Sequence, residues 1–262
     1  MTFPYRLASG NAPRMVVFDL DETLLAADST RRWTDWLYET GTTTDPVYRE
    51  ATERMAERYR LGTLDIRDYL FEMAPAVAHL TPEALDLLIE RFIESRILPD
   101  VYPEGRALIA AAREAGLPMA IISATASFLV RPIARRLGIT TVMGVDLVLK
   151  NGLPTGRVDG IPTFREGKVL RLTAWLNAFN GQLADNTPPL TLNDVFFFTD
   201  SRNDLPLARA VGGCALVNPD PVIRAEGLAK GWPILGWKVA KPIGMRQDHR
   251  LRPPRDTLSQ RL

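Results

Sequence analysis

Two acidic pairs have residue types and spacing that could do chemistry. Asp19 and Asp21, in Asp19-Leu20-Asp21-Glu22-Thr23, follow the apolar run Met15-Val16-Val17-Phe18. Side chains alternate along a strand, so residues two apart project to the same side. Two carboxylates held close in a buried site repel each other; one takes a proton, or a cation sits between them. Asp200 and Asp204, in Thr199-Asp200-Ser201-Arg202-Asn203-Asp204, follow a second apolar run, Val195-Phe196-Phe197-Phe198. Together the pairs would form an oxygen-rich cluster. Such donors suit Mg²⁺, which binds through one or two carboxylates, waters and phosphate. Taken singly, the first pair also reads as the opening of a turn, and Asp204 as a helix N-cap.

Two further positions could handle an anion. Ser123 closes the apolar stretch Leu117-Pro118-Met119-Ala120-Ile121-Ile122. Its hydroxyl and the backbone N–H groups that follow, beginning with Ala124, could hold phosphate oxygens near a helix start. Lys168, in Glu166-Gly167-Lys168-Val169, stands near a helix start, where the dipole favours anions over cations. A surface lysine is the plainer reading of that residue alone. A phosphate-binding Gly-rich loop is excluded, because Pro162 stands five residues before Gly167 and Val169 replaces Ser or Thr. Serine-hydrolase, zinc-protease and dinucleotide fingerprints are all missing. The histidines are His79 and His249, both distant in sequence from the acidic pairs. Cys214 lies in an apolar stretch and reads as a buried apolar residue.

The elements that must position these residues alternate. Buried strands are expected at 15–20, 117–123, 194–199 and 214–217, each short and apolar. Helical patterns at 103–115, 126–137 and 166–180 end at Gly116, Gly138 and Gly181, which act as C-cap signals. Strand–helix alternation implies a parallel sheet covered on both faces. Residues 28–100 break the pattern. Asp28 or Ser29, Asp45-Pro46 and Thr81-Pro82 each open a helix, and this segment reads as an all-helical insertion after the first strand. Asn151-Gly152 predicts a short hairpin within 141–158. From Trp237 onward the pattern fades into a tail with seven Lys or Arg and two Asp. That tail reads as a solvated terminus.

With 262 residues, 46% hydrophobic and 24% charged, the chain is long enough to bury a core and is not a disordered or fibrous protein. A net charge of +1 gives no electrostatic case for a nucleic-acid partner. One cysteine allows neither an internal disulfide nor a CxxC site. No apolar run approaches the roughly 18 residues of a membrane span. Residues 1–14 contain no apolar signal region, so the expected location is the cytoplasm.

The order and spacing of Asp19-x-Asp21-x-Thr23, Ser123, Lys168 and Asp200-x-x-x-Asp204 resemble the haloacid dehalogenase superfamily. The likeness is to its phosphoserine-phosphatase-like branch and covers roughly residues 14–235. Val217-Asn218-Pro219-Asp220 and Gly231-Trp232-Pro233-Ile234 resemble that branch too. The resemblance implies an α/β fold: a Rossmann-like three-layer parallel-sheet core (1–27 and 101–236), a helical cap (28–100) and a basic tail (237–262). It implies a Mg²⁺-dependent phosphomonoesterase acting on a small phosphorylated metabolite. Asp19 would be the nucleophile and Asp21 the acid and base. Asp19, the Asp21 carbonyl and Asp200 would hold Mg²⁺. Ser123, Ala124, Lys168 and Asn203 would face phosphate, with Thr23 and Asp204 in support. Two positions depart from the family pattern, Thr199 and Ala124 standing where Gly is common; Thr199 is expected to narrow the floor of the site. In the cap, Asp28 could face an amino group, and Arg54, Arg58 or Arg67 a carboxylate, as phosphoserine would need. Histidinol phosphate or another small ester is equally open. A phosphotransferase or phosphomutase, and a non-catalytic anion-binding regulator, remain as alternatives.

Overall fold

The structure is a computed structural model that describes residues 3–184 and 187–239. Its centre is a six-stranded sheet in the order β3-β2-β1-β6-β7-β8. The strands are β1 (Met15–Phe18), β2 (Met119–Ala126), β3 (Thr141–Val145), β6 (Val195–Thr199), β7 (Gly213–Val217) and β8 (Ile234–Leu235). All neighbours pair in parallel. The two central strands explain their own composition. Val16 and Phe18 of β1, with Phe196 and Phe198 of β6, enter the core on one face. Met15 and Val17, with Val195 and Phe197, enter a second core on the other. Both faces are buried, so alternation of polar and apolar residues disappears and the strands read as continuous apolar runs.

Helices cover each face. α5 (Pro103–Glu114) and α6 (Ser127–Leu137) supply Leu108, Ile109, Leu129, Val130 and Ile133 to the first core. α7 (Glu166–Asn180), α8 (Leu205–Ala210) and α9 (Pro221–Lys230) supply Leu172, Leu176, Leu207 and Ile223 to the second. The result is the expected three-layer α/β core.

Residues 28–100 fold as α1 (Ser29–Glu39), α2 (Pro46–Leu61), α3 (Ile66–Met73) and α4 (Pro82–Phe92), the last running into a wider turn over Ile93–Ile97. Asp28, Asp45, Asp65 and Thr81 cap these four helices, each side chain accepting from backbone N–H groups of the first turn. Leu25 and Val101 form an antiparallel bridge, so the chain leaves and rejoins the core at one place.

The short hairpin forms at Asn151-Gly152 as expected. Only β4 (Leu147–Lys150) and β5 (Leu153–Val158) form it, joined by Asn151 at φ 53° and Gly152 at φ 81°. Both turn residues are left-handed, as a two-residue hairpin of this hand requires. Residues 141–145 instead extend the main sheet as β3. Leu147 and Val158 pack with Leu64, Ile66 and Leu70, which ties the hairpin to the helical insertion. At the other end of the chain, Trp237 is buried against Tyr102 with ring centroids 5.7 Å apart. The remainder of the expected tail, 240–262, with His249, lies outside the described residues. Among the described residues no helix is long and apolar enough to cross a membrane.

Candidate active site

In an open parallel sheet, ligands bind beyond the carboxyl ends of the strands where the order reverses. Here that point is β1, flanked by β2 and β6. A cavity of about 720 Å³ lies there, walled by the loops after β1 and β6, by β2, and by α1, α2 and α3.

Asp19 and Asp21 both line the cavity. β1 ends at Phe18, so the two are presented by a turn and not by strand alternation. The Asp19 backbone N–H extends the ladder by one bond to Phe198 O at 2.9 Å, and Leu24 and Leu25 N–H groups close the turn onto Leu20 O. Asp19 Oδ1 accepts from Lys168 Nζ at 2.8 Å. Lys168 also donates to Asp204 Oδ2 at 2.7 Å, and Thr199 Oγ1 donates to that same oxygen at 2.7 Å. Lys168 is only 1% exposed, a burial an ammonium tolerates only when paired. Burial works against its charge, but Asp19 and Asp204 outweigh that and hold it above the ordinary lysine range.

A sharp turn brings Lys168 to this place. A Cβ on Gly167 would lie 1.9 Å from Pro162 O, so only glycine fits there. Arg165, just before α7, has φ 52° and ψ −122°. Such backbone conformations in a non-glycine residue cost about 1–3 kcal/mol and persist where surrounding contacts enforce them.

Asp21 is held across the cavity by three donors. Ser29 N–H donates to Oδ1 at 2.6 Å, Thr125 Oγ1 to Oδ2 at 2.6 Å, and Ser123 Oγ lies 3.5 Å from Oδ2. Burial pushes the Asp21 carboxyl up to about 6; the Asp28 charge adds to this and the Ser29 and Thr125 bonds oppose it. Burial likewise raises Asp19, against the pull of Lys168. It raises Asp200 well above the ordinary carboxyl range, with the Asp19 charge adding. Asp200 Oδ1 accepts from Thr23 Oγ1 at 2.8 Å.

Ser123, Ala124 and Thr125 all line the cavity. Ser123 lies inside β2 and does not close it; the pairing with β3 shifts register between Ile122 and Ala126. That irregularity frees the segment to face the site. Ser123 Oγ accepts from Thr125 N–H at 3.1 Å. α6 opens only at Ser127.

Several expected residues stand elsewhere. Lys168 is behind Asp19 and does not line the cavity. Asn203 lines it, but its amide donates to Tyr59 O at 3.2 Å and its Oδ1 accepts from Arg165 Nε at 3.4 Å. Thr199 is fully buried and does not narrow the cavity floor; its hydroxyl braces Asp204. Asp28 lines the cavity while capping α1. Arg54, Arg58 and Arg67 are exposed and do not line it; Arg31, Arg32, Arg60 and Arg202 do. Tyr59 and Tyr69 also line it, and burial pushes both phenols up, with nearby carboxylate charge adding. Thr125 had a signal in sequence, two places after Ser123. Tyr59, Tyr69 and Arg165 had none.

The donor chemistry fits a hard cation. Two buried acids, Asp19 and Asp204, share the single ammonium of Lys168, and a third, Asp200, lies near enough that their charges add to the rise of its carboxyl. The excess negative charge needs a further positive group. Among the described residues no three acidic, histidine or cysteine side chains converge to hold a metal unaided. Two carboxylates and a carbonyl, completed by water and ligand oxygens, are the donor set a small hard cation takes.

The model of the haloacid dehalogenase-like hydrolase family matches residues 16–209. The chain belongs to that family. It is 34% identical over 226 residues to a protein of Neisseria meningitidis serogroup C (strain 8013) named histidinol-phosphatase, covering 86% of this chain and 99% of the relative. A crystal structure of a protein with unknown function from Bordetella pertussis Tohama I is 34% identical, with TM-score 0.76 over 86% of this chain and 98% of that one. A phosphoserine phosphatase solved as a phospho-aspartyl intermediate analogue is 18% identical, with TM-score 0.60 over 85% of this chain and 92% of that one, and shares the fold.

Proposed function

We propose that this haloacid dehalogenase-like hydrolase is a Mg²⁺-dependent phosphomonoesterase that works through an aspartyl phosphate on Asp19. The observation that carries the reading is the pair of carboxylates with opposed surroundings on one cavity. Asp19 is bonded to a buried ammonium; Asp21 is bonded to hydroxyl and amide donors and its carboxyl is raised to about 6. Two acids whose environments differ in this way suit different roles.

Lys168 fixes Asp19 through Oδ1, and Oδ2 carries no hydrogen bond among the described residues. That oxygen attacks phosphorus, and the bond to the ester oxygen breaks. Asp21 gives its proton to the departing oxygen. The Asp21 carboxylate then takes a proton from water as that water attacks phosphorus. The Asp19–phosphorus bond breaks, phosphate leaves and both carboxyls are restored. Splitting the hydrolysis avoids one difficult displacement. Asp19, the Asp21 carbonyl and Asp200 would hold Mg²⁺, which supplies charge neutralisation for the approach of a carboxylate to a phosphate dianion. Ser123 and the Ala124 N–H would receive phosphate oxygens.

The proposed substrate is a small amino-alcohol phosphate of the histidinol phosphate kind. The similarity to the Neisseria protein supports it, as do Asp28 and Asp35 facing the cavity beside Tyr59 and Tyr69. The test is phosphate release from histidinol phosphate, phosphoserine and p-nitrophenyl phosphate, with Mg²⁺ and with EDTA, for wild type and Asp19→Asn. Release that needs Mg²⁺ and disappears in the variant is expected. Release that persists in Asp19→Asn rejects the mechanism.

A further inference from the structure

We propose that Arg165 is a positioning residue that fastens the helical insertion over the site by gripping the carboxyl end of α2. Three contacts converge there. Arg165 Nη2 donates to Gly62 O, and its Nε donates to Asn203 Oδ1 at 3.4 Å. Asn203 Nδ2 donates to Tyr59 O at 3.2 Å. The Phe164 ring packs against the Tyr59 ring with centroids 5.9 Å apart, and the Arg165 guanidinium carbon lies 4.9 Å from the Phe164 centroid. Two of these bonds cross between the parts, with donors Arg165 and Asn203 in the core and acceptors Gly62 O and Tyr59 O in the insertion; the bond from Arg165 to Asn203 joins the two donors.

The choice of groups follows from helix physics. The last carbonyls of a helix lack partners inside it and carry the negative end of its dipole. α2 ends at Leu61, and Gly62 turns away at φ 70°. A guanidinium, planar and always charged, matches such carbonyls, and it also stacks on an aromatic ring. The backbone of Arg165 points the same way. At φ 52° and ψ −122° a glycine would sit more easily, and the contacts of the arginine side chain help to offset that strain.

The grip reaches the reacting groups through short covalent paths. Arg165 is three residues before Lys168, and Asn203 is next to Asp204. Lys168 and Asp204 are bonded to each other. Elsewhere the insertion is tied to the core at the Leu25–Val101 bridge and by Leu64, Ile66 and Leu70 packed on the hairpin, which leaves the Arg165 and Asn203 bonds to hold the last turn of α2. Release of the α2 end would therefore loosen the wall that carries Tyr59 and widen the cavity. The consequence falls on recognition of the leaving group, a role that rests on the phosphatase reading.

The test compares wild type, Arg165→Gly and Arg165→Lys by amide hydrogen exchange and by kinetics. Arg165→Gly removes the grip while easing the backbone, so the fold is kept. Amides of α2 and α3 should exchange faster by about tenfold or more in Arg165→Gly, with β1 and β6 unchanged. Arg165→Lys, which can still donate to a carbonyl, should recover part of the protection. The ratio of kcat/KM for the preferred ester to that for p-nitrophenyl phosphate should fall by about fivefold or more in Arg165→Gly, chiefly through KM. Exchange of α2 and α3 within about twofold of wild type overturns the proposal. So does faster exchange that includes β1 and β6, which marks a purely structural residue, or a local rise with the kinetic ratio unchanged. If wild type releases no phosphate from any ester, the phosphatase reading fails, and the exchange result still decides whether Arg165 holds α2.

Discussion

Lys168 shares one ammonium between Asp19 and Asp204, while Asp200 rests on the Thr23 hydroxyl. This crowding has a signed consequence for stability. A carboxyl raised on folding binds its proton more tightly in the folded state than in the unfolded chain. Its contribution therefore improves as pH falls through the folded value, about 6 for Asp21, toward the ordinary 3.8, and is lost above. In EDTA, the thermal midpoint of wild type relative to Asp21→Asn should thus rise between pH 7.5 and 5 (roughly, the window set by that value). At neutral pH, Mg²⁺ should raise the wild-type midpoint, and Asp200→Asn should blunt that rise, since only the folded chain gathers the donor set. Asp21→Asn should also lower kcat for an alkyl phosphate by about 10²–10⁴-fold, the usual worth of a placed acid and base. The loss should be smaller for p-nitrophenyl phosphate, whose leaving group needs no proton. Steady-state kinetics on the two esters check this.

At the scale of elements, the turn before α7 sets where Lys168 falls. Gly167→Ala would force a Cβ against Pro162 O and push the helix start away from Asp19. The expected cost is about 1–3 kcal/mol in urea unfolding, with loss of activity beyond what that instability explains. Much of this level was legible in the sequence, and for a physical reason. β1, β2, β6 and β7 are buried on both faces, so each contains a short apolar run, rich in β-branched or aromatic residues and bounded by turn signals, which marks a buried strand. β3 was not legible. Thr141 and Val142 are only half-buried at the sheet edge, so the segment lacks the fully apolar run that marks the inner strands. The register shift in β2 is likewise set by its neighbour β3 and leaves no local pattern. The acidic pairs and Lys168 were readable by type and order. The arginines of the insertion were not, because which helix face meets the cavity depends on how the helix packs: Arg58 and Arg60 are both exposed, and only Arg60 lines the cavity.

For the whole molecule, the loops after β1 and β6, with β2, wall one side of the cavity and the insertion the other. In the proposed reaction, chemistry and selectivity would then be carried by different parts of the chain. Arg58→Ala should leave the ranking of phosphate esters unchanged, since Arg58 is exposed and away from the cavity. Asp35, which lines the cavity and bonds to no cation among the described residues, is placed to meet a positive leaving group. Asp35→Asn should raise KM for an amino-alcohol phosphate by about tenfold, the worth of one hydrogen bond to a charged group, with kcat for p-nitrophenyl phosphate little changed. A substrate panel on both variants checks the division.

The most direct measurement is the covalent state of Asp19 during turnover. Wild type and Asp19→Asn would be mixed with substrate and Mg²⁺, quenched in acid, digested and analysed by mass spectrometry. If Asp19 is the nucleophile, the wild-type peptide spanning Asp19 gains the mass of one phosphoryl group, and the variant peptide does not. An unmodified Asp19 peptide in an enzyme that is releasing phosphate, or a phosphoryl group on any other residue, would contradict it.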